Sequence, residues 1–153
     1  MNHNRTGFTL IETLIYLALL MLIMSSAVVS AFYIIDSSEK EKTNLNTIAE
    51  AGFLLRKIDW ALTGADAVDV SVPGVMSVTK NSFPANPVVI DSVSGRARIA
   101  TGGTMPVALT GDRVSITGLT FQNTPAMPLQ PQGIMANFTA DGKNFELTKY
   151  LRK

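Results

Sequence analysis

The sequence contains no cysteine and only one histidine, His3. Without cysteine, the chain has no disulfide, no thiol nucleophile and no thiolate ligand for a metal. Histidine is the usual general base at neutral pH and the commonest nitrogen ligand of metals, so a single copy leaves little for either task. These absences disfavour an enzyme, and we expect neither a cofactor nor a bound metal.

Neither sign of charge dominates the chain. Thirteen Lys and Arg residues face twelve Asp and Glu residues, which gives a formal net charge of +1. Dedicated nucleic-acid binders usually carry a strong basic excess, so the bulk charge argues against that class. A length of 153 residues is enough for one modest domain and an anchor, but not for two full domains.

Charge is missing altogether from one long stretch. Residues 13–35 form a run of 23 uncharged, mostly aliphatic residues, and about 20 apolar residues are enough for a helix to cross a bilayer. Three serines interrupt the run at positions 25, 26 and 30, where their hydroxyls can bond back to helix carbonyls. Arg5 precedes the run, which weakly favours a cytoplasmic N-terminus. We expect residues 8–35 to form a transmembrane and assembly helix.

The helix is expected to continue beyond the membrane. Residues 36–63 contain no proline, and apolar residues recur there at steps of three and four. These positions predict the buried face of an amphipathic helix: Leu45, Ile48, Gly52, Leu55, Ile58 and Leu62. We therefore predict one helix from about Phe8 to Thr63, with Gly64 as its stop and residues 36–64 as the amphipathic part.

The remaining residues, 65–153, have the pattern of a β-rich globular domain. Short alternating or apolar runs predict strands around residues 68–72, 88–90, 96–99 and 114–121, the last with a bulge at Gly118. Residues 134–138 and 145–147 predict a hairpin whose turn is residues 140–143. The proline-rich residues 123–133 predict a loop.

A distinctive motif opens the apolar run: Gly7-Phe8-Thr9-Leu10-Ile11-Glu12-Thr13-Leu14-Ile15. It resembles the cleavage and methylation signal of type IV prepilins and type II secretion pseudopilins. The resemblance implies that residues 1–7 are a leader, that a prepilin peptidase cuts after Gly7, and that Phe8 becomes the methylated first residue. A glycine at the cut has no Cβ to hinder the approach of a protease. Loss of Arg5 with the leader would make the mature chain formally neutral.

Glu12 corresponds in this resemblance to the assembly glutamate of the family. A carboxylate at the start of a lipid-facing helix is costly and usually has a partner. The natural partner is the amino group of Phe8, in the same or a neighbouring subunit. Glu12 could also stabilise the first helical turn, where the helix dipole favours a negative charge. The two roles are compatible.

The resemblance also implies a fold and a subfamily. It predicts an α+β protein in which a long N-terminal helix, half in the membrane and half amphipathic, packs on a C-terminal antiparallel β-sheet. Residues 53–62 and 150–153 are similar to J-type minor pseudopilins and to minor pilins. The chain lacks the membrane-helix proline of many major pilins and the cysteine pair that closes their C-terminal loop.

The leading hypothesis is a minor pilin or pseudopilin that initiates or caps a type IV pilus-like or type II secretion pseudopilus filament. Its expected partners are prepilin peptidase, other pilin or pseudopilin subunits through the N-terminal helix, and the inner membrane. It would span that membrane once, with the C-terminal domain outside the cytoplasm. A pilus-tip binding module, either an adhesin or a DNA-uptake receptor, is the alternative, and a membrane-tethered enzyme is a third hypothesis.

Three further features have two interpretations each. Five aspartates could supply oxygen ligands for Ca²⁺, but they lack EF-hand spacing and suit solvated turns better: Asp66, Asp69, Asp91, Asp112 and Asp141. Arg96, Arg98 and Arg113 could form a DNA-contacting strip, yet no aromatic residues are interleaved with them, which favours a solvent-facing role. Trp60 could be an exposed contact residue, although packing on the sheet is the favoured prediction.

Overall fold

The computed structural model describes residues 9–126, 128 and 131–151. Within these residues the chain forms one helix and eight strands. In chain order they are α1 (Leu10–Leu62), β1 (Ala67–Asp69), β2 (Met76–Thr79), β3 (Val88–Val93), β4 (Arg96–Thr101), β5 (Val107–Ala108), β6 (Ile116–Thr124), β7 (Gly133–Ala140) and β8 (Lys143–Tyr150). The chain divides into two compact units, Met1–Thr43 and Asn44–Lys153.

The first unit contains the apolar part of α1. Its large hydrophobic side chains, from Leu10 to Ile35, are exposed in the isolated chain. The serines in this stretch bond to the helix backbone as predicted: Ser25 Oγ donates to Met21 O at 2.6 Å and Ser26 Oγ donates to Ile23 O at 2.8 Å. These serine hydroxyls are therefore satisfied without water, which suits a lipid environment.

The second unit contains two antiparallel sheets packed with residues 44–62 of α1. One sheet has the order β1-β2-β3-β4-β5 and the other has the order β6-β7-β8. The Ile116 N–H of β6 donates to Gly95 O in the β3–β4 turn at 2.8 Å, which joins the two sheets. The predicted α+β architecture is confirmed. The strands form two antiparallel sheets instead of the single sheet that was predicted.

The β6-β7-β8 hairpins match the sequence prediction closely. The β7–β8 turn is Asp141-Gly142, with φ values of 46° and 80°, and it is closed by the pair Ala140 and Lys143. Two consecutive residues at positive φ give the turn that follows the natural twist of a hairpin. The register of β6 against β7 shifts between Thr117 and Thr120, so the bulge predicted at Gly118 is confirmed.

The other sheet contains strands that the sequence did not reveal. β4 is confirmed, and β3 is confirmed but extends to Val93. The run predicted at residues 68–72 is wrong in length, because β1 ends at Asp69 and Val72 is exposed in the turn that follows. β2 and β5 were not predicted. Their four and two residues are too short to show a reliable alternation on their own.

The buried face of the helix differs from the predicted one. Ile58 and Leu62 are buried as expected, and Leu55 is partly buried against the core. Leu45 and Ile48, however, are 60% and 52% exposed. The helix residues that are buried are Thr47, Ala51, Leu54, Ile58, Ala61 and Leu62. The prediction was wrong for Leu45 and Ile48, because the sheets pack on the row of helix residues that includes Ala51, Leu54 and Ala61.

Polar side chains attach this part of the helix to the strands and loops along its length. Lys143 Nζ donates to Asn44 Oδ1 at 2.9 Å, and Thr47 Oγ1 donates to Asp141 Oδ2 at 2.7 Å. The Gly111 N–H donates to Glu50 Oε2 at 2.7 Å, an approach so close that a Cβ on Gly111 would lie 3.0 Å from the carboxylate.

Near the end of the helix, Lys149 Nζ donates to Asp59 Oδ1 at 2.6 Å and Lys80 Nζ donates to Trp60 O at 2.5 Å.

Candidate functional site

The start of α1 holds the candidate functional residues. The Thr9 carbonyl accepts hydrogen bonds from the backbone N–H groups of Glu12, at 3.1 Å, and Thr13, at 3.2 Å. Thr9 therefore stands where the helix begins, and threonine is a favoured residue type there. Glu12 lies in the first helical turn, so its carboxylate is close to the positive end of the helix dipole.

Glu12 differs from its neighbours in exposure. Among residues 9–46, Glu12 is the one half-buried residue and the others are exposed. Its Oε1 accepts a hydrogen bond from Tyr16 Oη at 3.2 Å. Tyr16 lies one helical turn further on, at the spacing that brings two side chains together on one helix face. The carboxylate therefore has a partner on its own helix.

Most of the surface around this site is apolar. In the residues that the structure describes, α1 is the one helix long and apolar enough to cross a membrane. Beside Glu12, a shallow and mainly apolar groove is lined by Thr13, Tyr16, Leu17 and Leu20. A surface of this kind is suited to lipid or to another apolar helix and not to water.

Gly7 and Phe8 lie outside the described residues. A family model described as the prokaryotic N-terminal methylation motif matches residues 2–28. This match covers the predicted cut, Glu12 and most of the apolar run. The chain is consistent with a type IV pilin-like protein. No curated protein and no solved structure matches it.

The motif indicates a structural subunit rather than an enzyme. The aspartates considered as calcium ligands contact other groups of the chain. Asp91 pairs with Arg98, Asp112 with Arg96, and Asp141 accepts from Thr47. Asp66 accepts from the Asn81 N–H. Across the described ranges, no three His, Cys, Asp or Glu side chains cluster as a metal site. These four aspartates thus have separate structural partners.

Asp69 and Arg98 illustrate how these local contacts affect ionisation. The backbone N–H of Ser71 donates to Asp69 Oδ1 at 2.9 Å, and this bond lowers the pKa of Asp69. Arg98 donates to both oxygens of Asp91, from Nε at 2.9 Å and from Nη2 at 2.6 Å. That bidentate bond raises the pKa of Arg98. Arg96 and Arg98, two of the three arginines considered as a DNA-contacting strip, are therefore each paired with an aspartate.

Trp60 is exposed, in contrast to the favoured prediction that it packs in the core. It is 40% exposed, which agrees with the other interpretation of Trp60 as a surface residue. The Trp60 ring packs edge to face against Phe83, with 5.7 Å between the two ring centroids. Lys80 Nζ lies 4.4 Å from the centroid of the Trp60 ring. Desolvation here lowers the pKa of Lys80. The ammonium also binds the carbonyl of Trp60, where the helix dipole favours a cation.

The sequence predicts a role for Glu12 but not for three polar residues whose contacts form only in the fold. Tyr16 is four residues from Glu12, a spacing that could have flagged it. Glu50 and Thr47 were assigned to no contact, because their partners Gly111 and Asp141 are far away in the sequence. No local signal in the sequence indicates such long-range pairs.

Proposed function

We propose that this chain is a minor pilin or pseudopilin, a structural subunit that initiates or caps a type IV pilus-like or type II secretion pseudopilus filament. The observation that carries the proposal is the methylation-motif match at residues 2–28, which lies at the head of an exposed apolar helix with Glu12 in its first turn. Residues 1–7 are the leader, prepilin peptidase cuts after Gly7, and Phe8 is methylated.

The same residues support a membrane location and a mode of assembly. Residues 8–35 anchor the subunit in the inner membrane, with the N-terminus cytoplasmic and the β-rich domain outside. Exposed aliphatic side chains along the helix then dock against the helices of other subunits once they leave the lipid. In the docked state, the Glu12 carboxylate neutralises the amino group of a neighbouring Phe8.

The first experiment tests processing. Intact-mass analysis of membrane-extracted protein should show a mature chain that begins with N-methyl-Phe8. A bulky residue in place of Gly7 should block the cut and leave insertion intact, because the apolar run is unchanged. An uncut chain in cells with active prepilin peptidase would contradict the proposal.

The second experiment tests assembly. Glu12→Ala should be cut and inserted normally, yet its cross-linking to partner subunits should fall strongly. Leaving one charge of a buried pair without its partner typically costs about 3–5 kcal/mol. Glu39→Ala is the matched control, since Glu39 lies on the same helix beyond the apolar run. Equal cross-linking of the two variants would argue against an assembly role for Glu12.

The minor role rests on the resemblance of residues 53–62 and 150–153 to J-type members, and it is tested separately. A subunit used at initiation is needed in few copies. Its deletion should therefore reduce the number of filaments more than their length. Quantitative mass spectrometry of sheared filaments should find the chain at low abundance; if it were the main shaft subunit, the minor role would be wrong while the pilin-like assignment remained.

A further inference from the structure

The hydrogen bond between Tyr16 and Glu12 has a consequence for assembly. Side chains on a helix tilt towards its N-terminus, so the ring of Tyr16 leans back over the turn that carries Glu12. Its hydroxyl reaches Glu12 Oε1 at 3.2 Å. Glu12 is half-buried, within an otherwise exposed part of the helix.

The two groups meet where an unpaired polar atom is expensive. A hydroxyl placed in hydrocarbon without a partner costs several kcal/mol in transfer experiments, and a lone carboxylate costs more. The phenol group is a donor and the ionised carboxylate is an acceptor. The hydrogen bond therefore gives the tyrosine hydroxyl an acceptor and meets part of the need of the carboxylate, before any neighbouring subunit is present.

We propose that Tyr16 is the positioning residue for Glu12. Its hydroxyl holds Oε1 against the helix surface, so that the carboxylate does not turn away along the helix towards the aqueous headgroup layer. A carboxylate has a second oxygen, and that oxygen meets the amino group of the docking subunit. The inference rests on the proposed assembly role of Glu12 and adds a residue that the motif itself does not specify.

The test uses the full-length chain in membranes with its partner subunits and measures the cross-linked fraction between neighbouring helices. Tyr16→Phe keeps the ring and removes only the hydroxyl. Cross-linking should fall on the order of tenfold, the size expected for a hydrogen bond to a charged group. Processing and membrane levels should not change. Tyr33→Phe is the matched control, because Tyr33 is an exposed tyrosine in the same apolar run.

A double-mutant cycle separates positioning of Glu12 from general packing. In a Glu12→Ala background, Tyr16→Phe should have no further effect, because the hydroxyl acts through the carboxylate. An equal loss from Tyr16→Phe in both backgrounds would overturn the proposal. If Glu12→Ala impairs docking and Tyr16→Phe does not, the inference is wrong and the proposed function stands. If Glu12→Ala has no effect, the assembly role fails and the inference falls with it.

Discussion

Asp141 joins the helix, the β7–β8 turn and the start of β6. Its Oδ2 accepts from Thr47 Oγ1 on α1, while its Oδ1 accepts from the Ser115 N–H at 2.9 Å. Its own N–H donates to Ser115 O at 3.1 Å. The residue also has a φ of 46°, a conformation that Asp and Asn tolerate better than most residues. A turn residue expected to be merely solvated is therefore a structural joint.

We predict that Thr47→Val destabilises the globular unit by about 1–2 kcal/mol, because it removes a buried donor to a charged group while keeping the side-chain volume. Urea unfolding of a fragment that starts at Asp36 and contains the globular unit gives the measurement. Asp141→Asn keeps an acceptor and the backbone conformation, so it should cost less than Asp141→Ala. Equal stability of Thr47→Val and the parent protein would show that the bond contributes nothing.

The ionisation of Asp69 gives a prediction on pH. Its folded-state pKa is lowered by the Ser71 N–H, so the carboxylate contributes stability above its unfolded pKa of about 3.9. That contribution is lost as the pH falls through the folded value. A carboxyl NMR titration should place the Asp69 midpoint below the ordinary range. Ser71→Pro removes the N–H and should move the midpoint back towards it; an unchanged midpoint would assign the shift elsewhere.

At the scale of whole elements, one face of the helix is buried and another is exposed. Two Leu→Ala substitutions, one on each face, test this difference. Leu54 is fully buried in the core, whereas Leu45 is 60% exposed on the same helix. Leu54→Ala should destabilise the globular unit by about 2–5 kcal/mol, the usual range for a buried leucine. Leu45→Ala should change its stability by less than about 0.5 kcal/mol. Thermal or urea unfolding of both variants is the measurement. A larger loss of stability in Leu45→Ala than in Leu54→Ala would instead support the buried face predicted from the sequence.

The elements that could be predicted from the sequence are those whose signals are local. A charge-free run and a long stretch without proline determine the helix, and Asp141-Gly142 determines the β7–β8 hairpin. The buried helix face could not be predicted, because two adjacent rows of apolar residues run along it and only the sheets select one. Glu12 is predicted from its motif, while Tyr16 is singled out only because the helix brings its hydroxyl to the carboxylate.

At the scale of the whole molecule, the two compact units differ in where their hydrophobic side chains lie. The first exposes nearly continuous aliphatic side chains, and the second encloses a core contributed by α1 and both sheets. The second unit has its own hydrophobic core and its own network of hydrogen bonds. Such a unit meets the requirements for folding alone.

We therefore predict that a fragment starting at Asp36 is soluble, monomeric and folded. It keeps roughly 120 residues, a length at which a single core normally suffices. Circular dichroism should show mixed helix and strand, and unfolding should be cooperative. The full-length chain is the control, and it should need detergent to remain in solution. A disordered spectrum for the fragment would contradict the division into two units.

The attachments between α1 and the rest of the globular unit also determine how that unit responds to force. Contacts at Asn44, Thr47, Glu50, Asp59 and Trp60 are distributed along the helix. We expect tension applied along the helix axis to load these contacts together, because each lies at a different position along the helix. Substitution of one of them would then leave the others to resist the force. The globular unit would thus withstand pulling on its helix although each bond is individually weak.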